Sequence, residues 1–257
     1  MNKKKKSKTK SVKRKNKKNN FFILFVLSCL ILLSYFVYFF LTDNKFKITD
    51  IYVNIYNENI DIYDVKINSN IKIGDNKIIS YLKLDKEKIM TNPYIKDVKV
   101  KYDLTNILNI KLTERKSIYY AYDKENNIYY LLDKDGYILK SYETINNKKD
   151  ELLVYALTFD KELEFGSKIN DIDLFKLEAF ERIKKEFENR FTYKIIAVDF
   201  NNSLVRLYLK EGLEIILPNE EDLNYNLIFL NNILKEIGNA KGIIDLSLEN
   251  PTFVSYE

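Results

Sequence analysis

The chain has 257 residues, with 42 Lys or Arg against 37 Asp or Glu and a formal net charge of +5. Histidine is absent and Cys29 is the single cysteine, which excludes histidine-dependent triads, histidine or cysteine-cluster metal sites and an intrachain disulfide. Six glycines and three prolines exclude a collagen-like or low-complexity chain, and the length suits one large domain or two small ones.

The positive charge is concentrated at one end. Residues 1–20 carry ten Lys plus Arg14 and no acid, leaving 31 basic residues against 37 acidic in the remainder. Residues 21–41 follow without a charge, and sixteen of these 21 are Leu, Ile, Phe or Val. A helix of that length rises about 30 Å, the hydrocarbon thickness of a bilayer. Its apolar side chains favour insertion by roughly 5–10 kcal/mol. The run exceeds a signal-peptide core and ends in Phe39-Phe40-Leu41-Thr42-Asp43, with no small-x-small cleavage site. It therefore predicts an uncleaved transmembrane helix, with Cys29 as a small apolar residue inside it. The twenty residues beyond it hold only Lys45 and Lys47. The positive-inside rule then puts the basic tail in the cytoplasm and the rest outside. Nucleic acid is the other partner such a tail could take, but a topology signal beside an anchor explains it more simply.

Residues 46–53 alternate apolar and polar and predict a strand. A helical or irregular stretch follows at 61–67, then a turn at Gly74-Asp75-Asn76. Ile78, Ile79, Leu82 and Ile89 predict a helical region interrupted near Leu84-Asp85 and stopped by Asn92-Pro93. Val98, Val100 and Tyr102, then Leu108, Ile110 and Leu112, have the period of half-buried strands. Strand, helix, helix, strand, strand makes one sheet with helices on one face. Residues 117–122, 128–132 and 137–142 read as strands, the last two joined by Asp133-Lys134-Asp135-Gly136. Calcium does not suit that turn, because its glycine directly follows the second acid.

A helix at 171–189 buries Leu174, Leu177, Phe180, Ile183 and Phe187, with Asn170 or Asp171 as N-cap. Strands are predicted at 195–200, 204–209 and 213–217. A second helix at 220–237 carries one apolar stripe from Leu223 to Ile237, acids at its start and Gly238 at its exit. Residues 242–248 and 252–256 complete the chain as two short strands around Asn250-Pro251.

These segments carry a resemblance. Gly74-Asp75-Asn76, Asn92-Pro93-Tyr94-Ile95 with Val98 and Val100, and Leu108-x-Ile110-x-Leu112-x-Glu114-Arg115 come in order. Tyr130-x-x-Asp133-x-Asp135-Gly136-x-Ile138-Leu139 and Gly242-Ile243-Ile244-Asp245-Leu246-Ser247 complete the set. Behind a basic tail and one anchor, this layout resembles the bacterial cell-division family FtsQ/DivIB. The resemblance implies an α+β chain: a single N-terminal transmembrane helix followed by a POTRA domain and a mixed β domain. Its divisions are a cytoplasmic tail at 1–20, the helix at 21–41, POTRA at 46–115 and the FtsQ/DivIB β domain at 116–257. There are departures: the family usually has an Arg near Tyr102 and a Pro at Thr105, and Asn57-Glu58-Asn59 replaces a Gly-Asn turn. The chain stops at Glu257, without the C-terminal extension of some members.

Glu114, Asp133 and Asp245 could be offered as catalytic acids, but no spacing marks a carboxylate pair, and Glu114-Arg115 reads as an ion pair. The expectation is a non-enzymatic scaffold with no cofactor, no small-molecule substrate and no nucleic acid. At 242–248, Ile244, Leu246 and Leu248 share one face and Ile243, Asp245 and Ser247 the other. At a sheet edge, such a strand can accept an added one. The resemblance implies that this region binds the outer segments of two small coiled-coil division proteins, FtsB/DivIC and FtsL. Carried onto this chain, the contact residues are Ile243, Asp245, Ser247, Thr252, Phe253, Val254 and Tyr256, backed by the helix at 220–237. Val254→Pro is then expected to remove a ladder donor and weaken capture while sparing the fold. The expected location is the division septum, in the cytoplasmic membrane. The alternative is a membrane-anchored POTRA-containing protein of another envelope assembly, a chaperone or secretion module.

Overall fold

The computed structural model describes residues 6–103, 105–145, 151–159, 163–201, 204–218, 223–238 and 240–256, with side chains described from residue 21 onward. The first element is one long helix, α1 (Lys6–Thr42). Its stretch Phe21–Thr42, 22 residues, is long and apolar enough to cross a membrane. Phe, Leu, Ile and Val side chains are exposed all around it, the pattern of a helix made for an apolar surround. Three hydroxyls of this stretch are satisfied within the helix: Ser28, Ser34 and Thr42 donate to the carbonyls of Phe25, Ile31 and Tyr38. That is what hydrocarbon demands of a polar atom. The backbone of the basic tail continues the helix from Lys6, while residues 1–5 lie outside the described residues.

The chain leaves α1 through a turn rather than a strand. The Asp43 carboxylate accepts the Lys45 N–H at 2.8 Å and starts a 3-10 turn, Asn44–Phe46. The Phe46 ring folds back to 4.8 Å from Phe40. Lys47 makes only an isolated bridge to Asn76. The strand expected from residue 46 therefore begins at β1 (Asp50–Asn54).

Three short helices come next: α2 (Ile62–Asn68), α3 (Lys77–Lys83) and α4 (Lys86–Ile89). Asp61 caps α2 and Asn76 caps α3. The break falls at Leu84-Asp85, where the Asp85 carboxylate accepts the Lys88 N–H. The strands β2 (Ile95–Tyr102) and β3 (Ile107–Glu114) join β1 in the order β1-β3-β2. β1 runs parallel to β3, from Asp50 opposite Ile107 to Asn54 opposite Lys111. Alternate residues Ile51, Val53, Leu108, Ile110 and Leu112 are buried, with Val65 and Ile89 from the helices.

The chain divides into two compact units. One comprises Met1–Ile55, Asp61–Ile89 and Val98–Leu112; the other comprises Tyr56–Ile60, Met90–Asp97 and Thr113–Glu257.

The second unit is built on a nine-stranded sheet. Its strands are β4 (Ser117–Asp123), β5 (Ile128–Asp133), β6 (Ile138–Tyr142), β7 (Leu152–Tyr155), β8 (Ile195–Asn201), β9 (Leu204–Leu209), β10 (Leu213–Pro218), β11 (Gly242–Asp245) and β12 (Thr252–Ser255). They lie in the order β12-β11-β10-β9-β8-β7-β4-β5-β6. Two helices, α5 (Asp171–Arg190) and α6 (Leu223–Ile237), supply the facing layer. Leu177, Phe180, Ile183 and Phe187 of α5 and Leu227, Leu230 and Leu234 of α6 share one core with Tyr119, Val154, Val198, Leu207, Ile215 and Ile244 of the sheet. Asn170 is the N-cap of α5, its Oδ1 accepting the Asp173 N–H. The acids expected at the start of α6, Glu220, Glu221 and Asp222, lie outside the described residues.

The opposite face of the sheet carries tyrosines. Tyr122 lies 4.8 Å from Tyr129 and 6.0 Å from Tyr155, and Tyr155 lies 6.5 Å from Tyr208. Burial raises the pKa of Tyr155, with the neighbouring phenols and Asp199 adding to it; burial also raises that of Tyr208, opposed by Arg206 and helped by Asp199 and Glu214.

Candidate functional site

β12 has one neighbour and forms an open edge of the nine-stranded sheet. It pairs antiparallel with β11, from Gly242 opposite Ser255 to Asp245 opposite Thr252. β11 in turn runs parallel to β10. The strand expected at 242–248 is thus shorter and lies inside the sheet, covered by β12. Its end has a local cause. Asp245 Oδ1 accepts both the Ser247 N–H at 2.9 Å and the Ser247 hydroxyl at 2.6 Å, bending the backbone out of the ladder. Leu246 still donates to the Ile216 carbonyl and is buried. Leu248, expected on the core face, is exposed.

The seven residues singled out divide between the two faces. Ile244 and Phe253 are cross-strand neighbours, and both belong to the helix-covered core. Ile243 sits opposite Val254 on the other face, where Val254 is 59% exposed. Tyr256 donates its hydroxyl to Glu214 Oε1, and Arg206 holds the other oxygen of that carboxylate at 3.2 Å. The hydrogen bond to Glu214 pushes the Tyr256 pKa up to about 12. Thr252, Val254 and Tyr256 are exposed; Ile243, Asp245 and Ser247 are half-buried.

Backbone direction along β12 is fixed by one bond. The Tyr256 N–H donates to the Lys241 carbonyl at 3.0 Å. Backbone groups alternate in an antiparallel pair, so those of Val254 and Thr252 also turn toward β11. Those of Phe253 and Ser255 turn to the open edge. The Val254 N–H is therefore an internal ladder donor, which corrects the expectation for Val254→Pro. Ser255, Glu214 and Arg206 were not singled out from sequence. Strand parity and cross-strand partners follow from register, which no local motif announces.

The three acids considered for catalysis have separate structural duties. Glu114 accepts the Tyr56 N–H at 2.6 Å. Asp133 pairs with Arg115 at 2.9 Å, so Arg115 bonds there and not to Glu114. Asp245 closes its own turn. Among the described residues, no group of three or more His, Cys, Asp or Glu could hold a metal ion.

Two family descriptions match in the same order as these units. "POTRA domain, FtsQ-type" covers residues 46–115, and "Cell division protein FtsQ/DivIB, C-terminal" covers residues 121–247. The chain belongs to the FtsQ/DivIB family. Its α+β architecture is the one expected of a member: one candidate membrane helix, a POTRA domain and a mixed sheet domain. The "Cell division protein DivIB" of Clostridium tetani (strain Massachusetts / E88) is 30% identical over 171 residues, 63% of this chain and 62% of the relative. That of Clostridium acetobutylicum is 28% identical over 168 residues, 64% of this chain and 65% of the relative. The chain thus spans somewhat under two thirds of these curated relatives. The C-terminal family description ends at Ser247, so Thr252, Phe253, Val254 and Tyr256 lie beyond it.

Proposed function

We propose that this FtsQ/DivIB-family chain is a bitopic, non-enzymatic scaffold of the division machinery. The basic tail stays in the cytoplasm and the folded units stand outside the cytoplasmic membrane, at the septum. There the chain captures the outer segments of coiled-coil division proteins of the FtsB/DivIC and FtsL kind. The captured proteins link it to the regulation of septal peptidoglycan synthesis. Capture works by strand addition to β12, with Ile243, Thr252, Val254 and Tyr256 offering the open face beside it. The observation that carries this reading is the exposed edge of β12, with the backbone groups of Phe253 and Ser255 directed outward. Family membership and the relatives' name as division proteins support it. Confinement to one membrane raises the effective concentration of chain and partner.

Ser255→Pro tests the mode. It removes an outward N–H and puts a ring on the edge, while Ser255 itself is exposed. Losing one or two edge hydrogen bonds is worth about 1–2 kcal/mol, so capture in a quantitative pull-down of the full chain from membranes should fall about tenfold. Capture equal to that of the unaltered chain would refute strand addition at β12.

A further inference from the structure

Helix α3 is inside out for a soluble domain. Its inward positions are polar: Asn76, its N-cap, is 7% exposed and Ser80 is 0% exposed. Ser80 is satisfied there by the Lys77 carbonyl at 2.9 Å and by the Tyr102 hydroxyl at 2.6 Å. Its outward positions are apolar: Ile78 is 52%, Tyr81 61% and Leu82 81% exposed. The spacing i, i+3, i+4 puts those three on one stripe. A helix normally turns that stripe to a core.

The start of α3 is bolted to the end of the anchor. Asn76 Nδ2 donates to the carbonyl of Phe40 at 2.6 Å and to that of Leu41 at 3.3 Å. Asn76 Oδ1 accepts the Ile78 N–H at 2.9 Å. One amide orientation serves both ends, closing the C-terminus of α1 and opening α3. The backbone adds to the clamp: Gly74 donates to the Ile48 carbonyl at 2.8 Å, and Ile48 to the Asp75 carbonyl at 2.9 Å. A seven-residue helix is only about 10 Å long, and the headgroup layer beyond the hydrocarbon is about 5–8 Å thick. A helix that begins at the last turn of the membrane span cannot be far from the lipid.

We propose that α3 is a second membrane contact, in which Ile78, Tyr81 and Leu82 enter the interfacial zone of the outer leaflet beside the anchor. The occupant is the lipid surface itself, because the bond to Phe40 and Leu41 holds this stripe where the bilayer ends. The charges fit. Lys77 and Lys83 flank the stripe, and Lys45 follows the anchor, so ammonium groups stand at headgroup level while apolar side chains point deeper. Tyr81 has the amphipathic ring that favours this zone. The contact makes the POTRA domain a part held in fixed attitude to the membrane. The inference rests on the reading of Phe21–Thr42 as the membrane span.

The full chain in the Cys29→Ser background, reconstituted in phosphatidylethanolamine/phosphatidylglycerol vesicles, provides the test. An environment-sensitive fluorophore is attached at Leu82→Cys in one sample and at Leu30→Cys in another. Leu82 is mostly exposed, so the label does not disturb the core. The expected result is a blue-shifted Leu82 label, quenched by a lipid-borne nitroxide and losing most of its quenching by aqueous iodide. The Leu30 label should show lipid quenching alone. A Leu82 label quenched only by iodide, with Leu30 still in lipid, overturns the α3 contact and leaves the anchor standing. A Leu82 label shielded from both quenchers also overturns it, pointing to a second copy of the chain on the stripe. A Leu30 label open to iodide overturns the anchor reading and the contact with it.

Discussion

Asp133 organises the turn between β5 and β6 from a nearly dry position. Its Oδ1 accepts the N–H groups of Asp135 and Tyr137 at 3.0 and 2.8 Å, and its Oδ2 takes Arg115 at 2.9 Å. The Arg115 guanidinium also lies 3.6 Å from the centre of the Tyr137 ring. With side chains 10% and 3% exposed, neither partner of this pair can turn to water if the other is lost. Arg115→Met should therefore cost about 3–5 kcal/mol, most of it from an uncompensated buried carboxylate. Lys96–Asp135 is closer at 2.6 Å, but its side chains are 44% and 31% exposed, so Lys96→Met should cost under about 1 kcal/mol. Urea unfolding of the two full-chain variants in one detergent decides the ranking; equal midpoints would show that burial does not set the worth of these pairs. The acids and the arginine were visible in the sequence, but their pairing was not. Glu114 and Arg115 are consecutive, and consecutive residues at a strand point to opposite faces. The true partner is eighteen positions away, across a hairpin.

Elements with a clean period were legible, and those shaped by context were not. The α5 and α6 stripes pack on the core, with Leu177, Phe180, Ile183, Phe187, Leu227, Leu230 and Leu234 buried and Leu174, Leu223 and Ile237 partly buried, and β8, β9 and β10 form close to the predicted ranges. β7 has no such sign. Leu152–Tyr155 is four residues without a full alternation, yet it runs parallel to both β4 and β8 in the middle of the sheet. Short unbroken apolar runs suit parallel strands, and periodicity alone cannot separate them from a helix fragment. The β11–β12 pair shows the same limit at the candidate site. The buried face of β11 was readable at Ile244 and Leu246, but on β12 Phe253, expected at the contact, packs against the core, and which backbone groups meet the edge was not readable either. A side chain at Gly242 would clash: a Cβ there would lie 2.2 Å from the Val254 carbonyl oxygen and 2.9 Å from Ser255 Cα. Backbone cannot yield as a side chain can, so Gly242→Ala should push β12 from β11 at a cost of about 1–3 kcal/mol. In amide hydrogen exchange, Val254 and Tyr256 should lose protection while Leu207 and Ile215 in the core keep theirs. Undiminished protection at Val254 would mean that β12 is held without this close approach.

For the molecule as a whole, charge and hydropathy divide the chain before any fold forms. Eleven basic residues stand before the apolar span, and the part after it is acidic on balance, 31 basic against 37 acidic. The span itself has no buried side to pack against its own chain, so its fate is set by lipid and by the charges flanking it. Topology is decided by Lys and Arg close to the helix ends, and Asp and Glu count little. On the proposed reading, the tail, and not the acidity of the part after the span, is the orienting element. The argument predicts the effect of replacing the ten lysines and Arg14 of residues 1–20 with glutamine. Lys45 and Lys47 would then be the nearest basic residues, on the other side of the span. A fraction of chains should insert inverted, with the folded units in the cytoplasm. Protease added to intact spheroplasts should digest the folded units of the unaltered chain completely, and leave a protected fraction of the glutamine variant. Complete digestion of both would show that the lysines do not orient this chain, and their presence would then need a different cause, such as attraction to anionic headgroups on the inner leaflet.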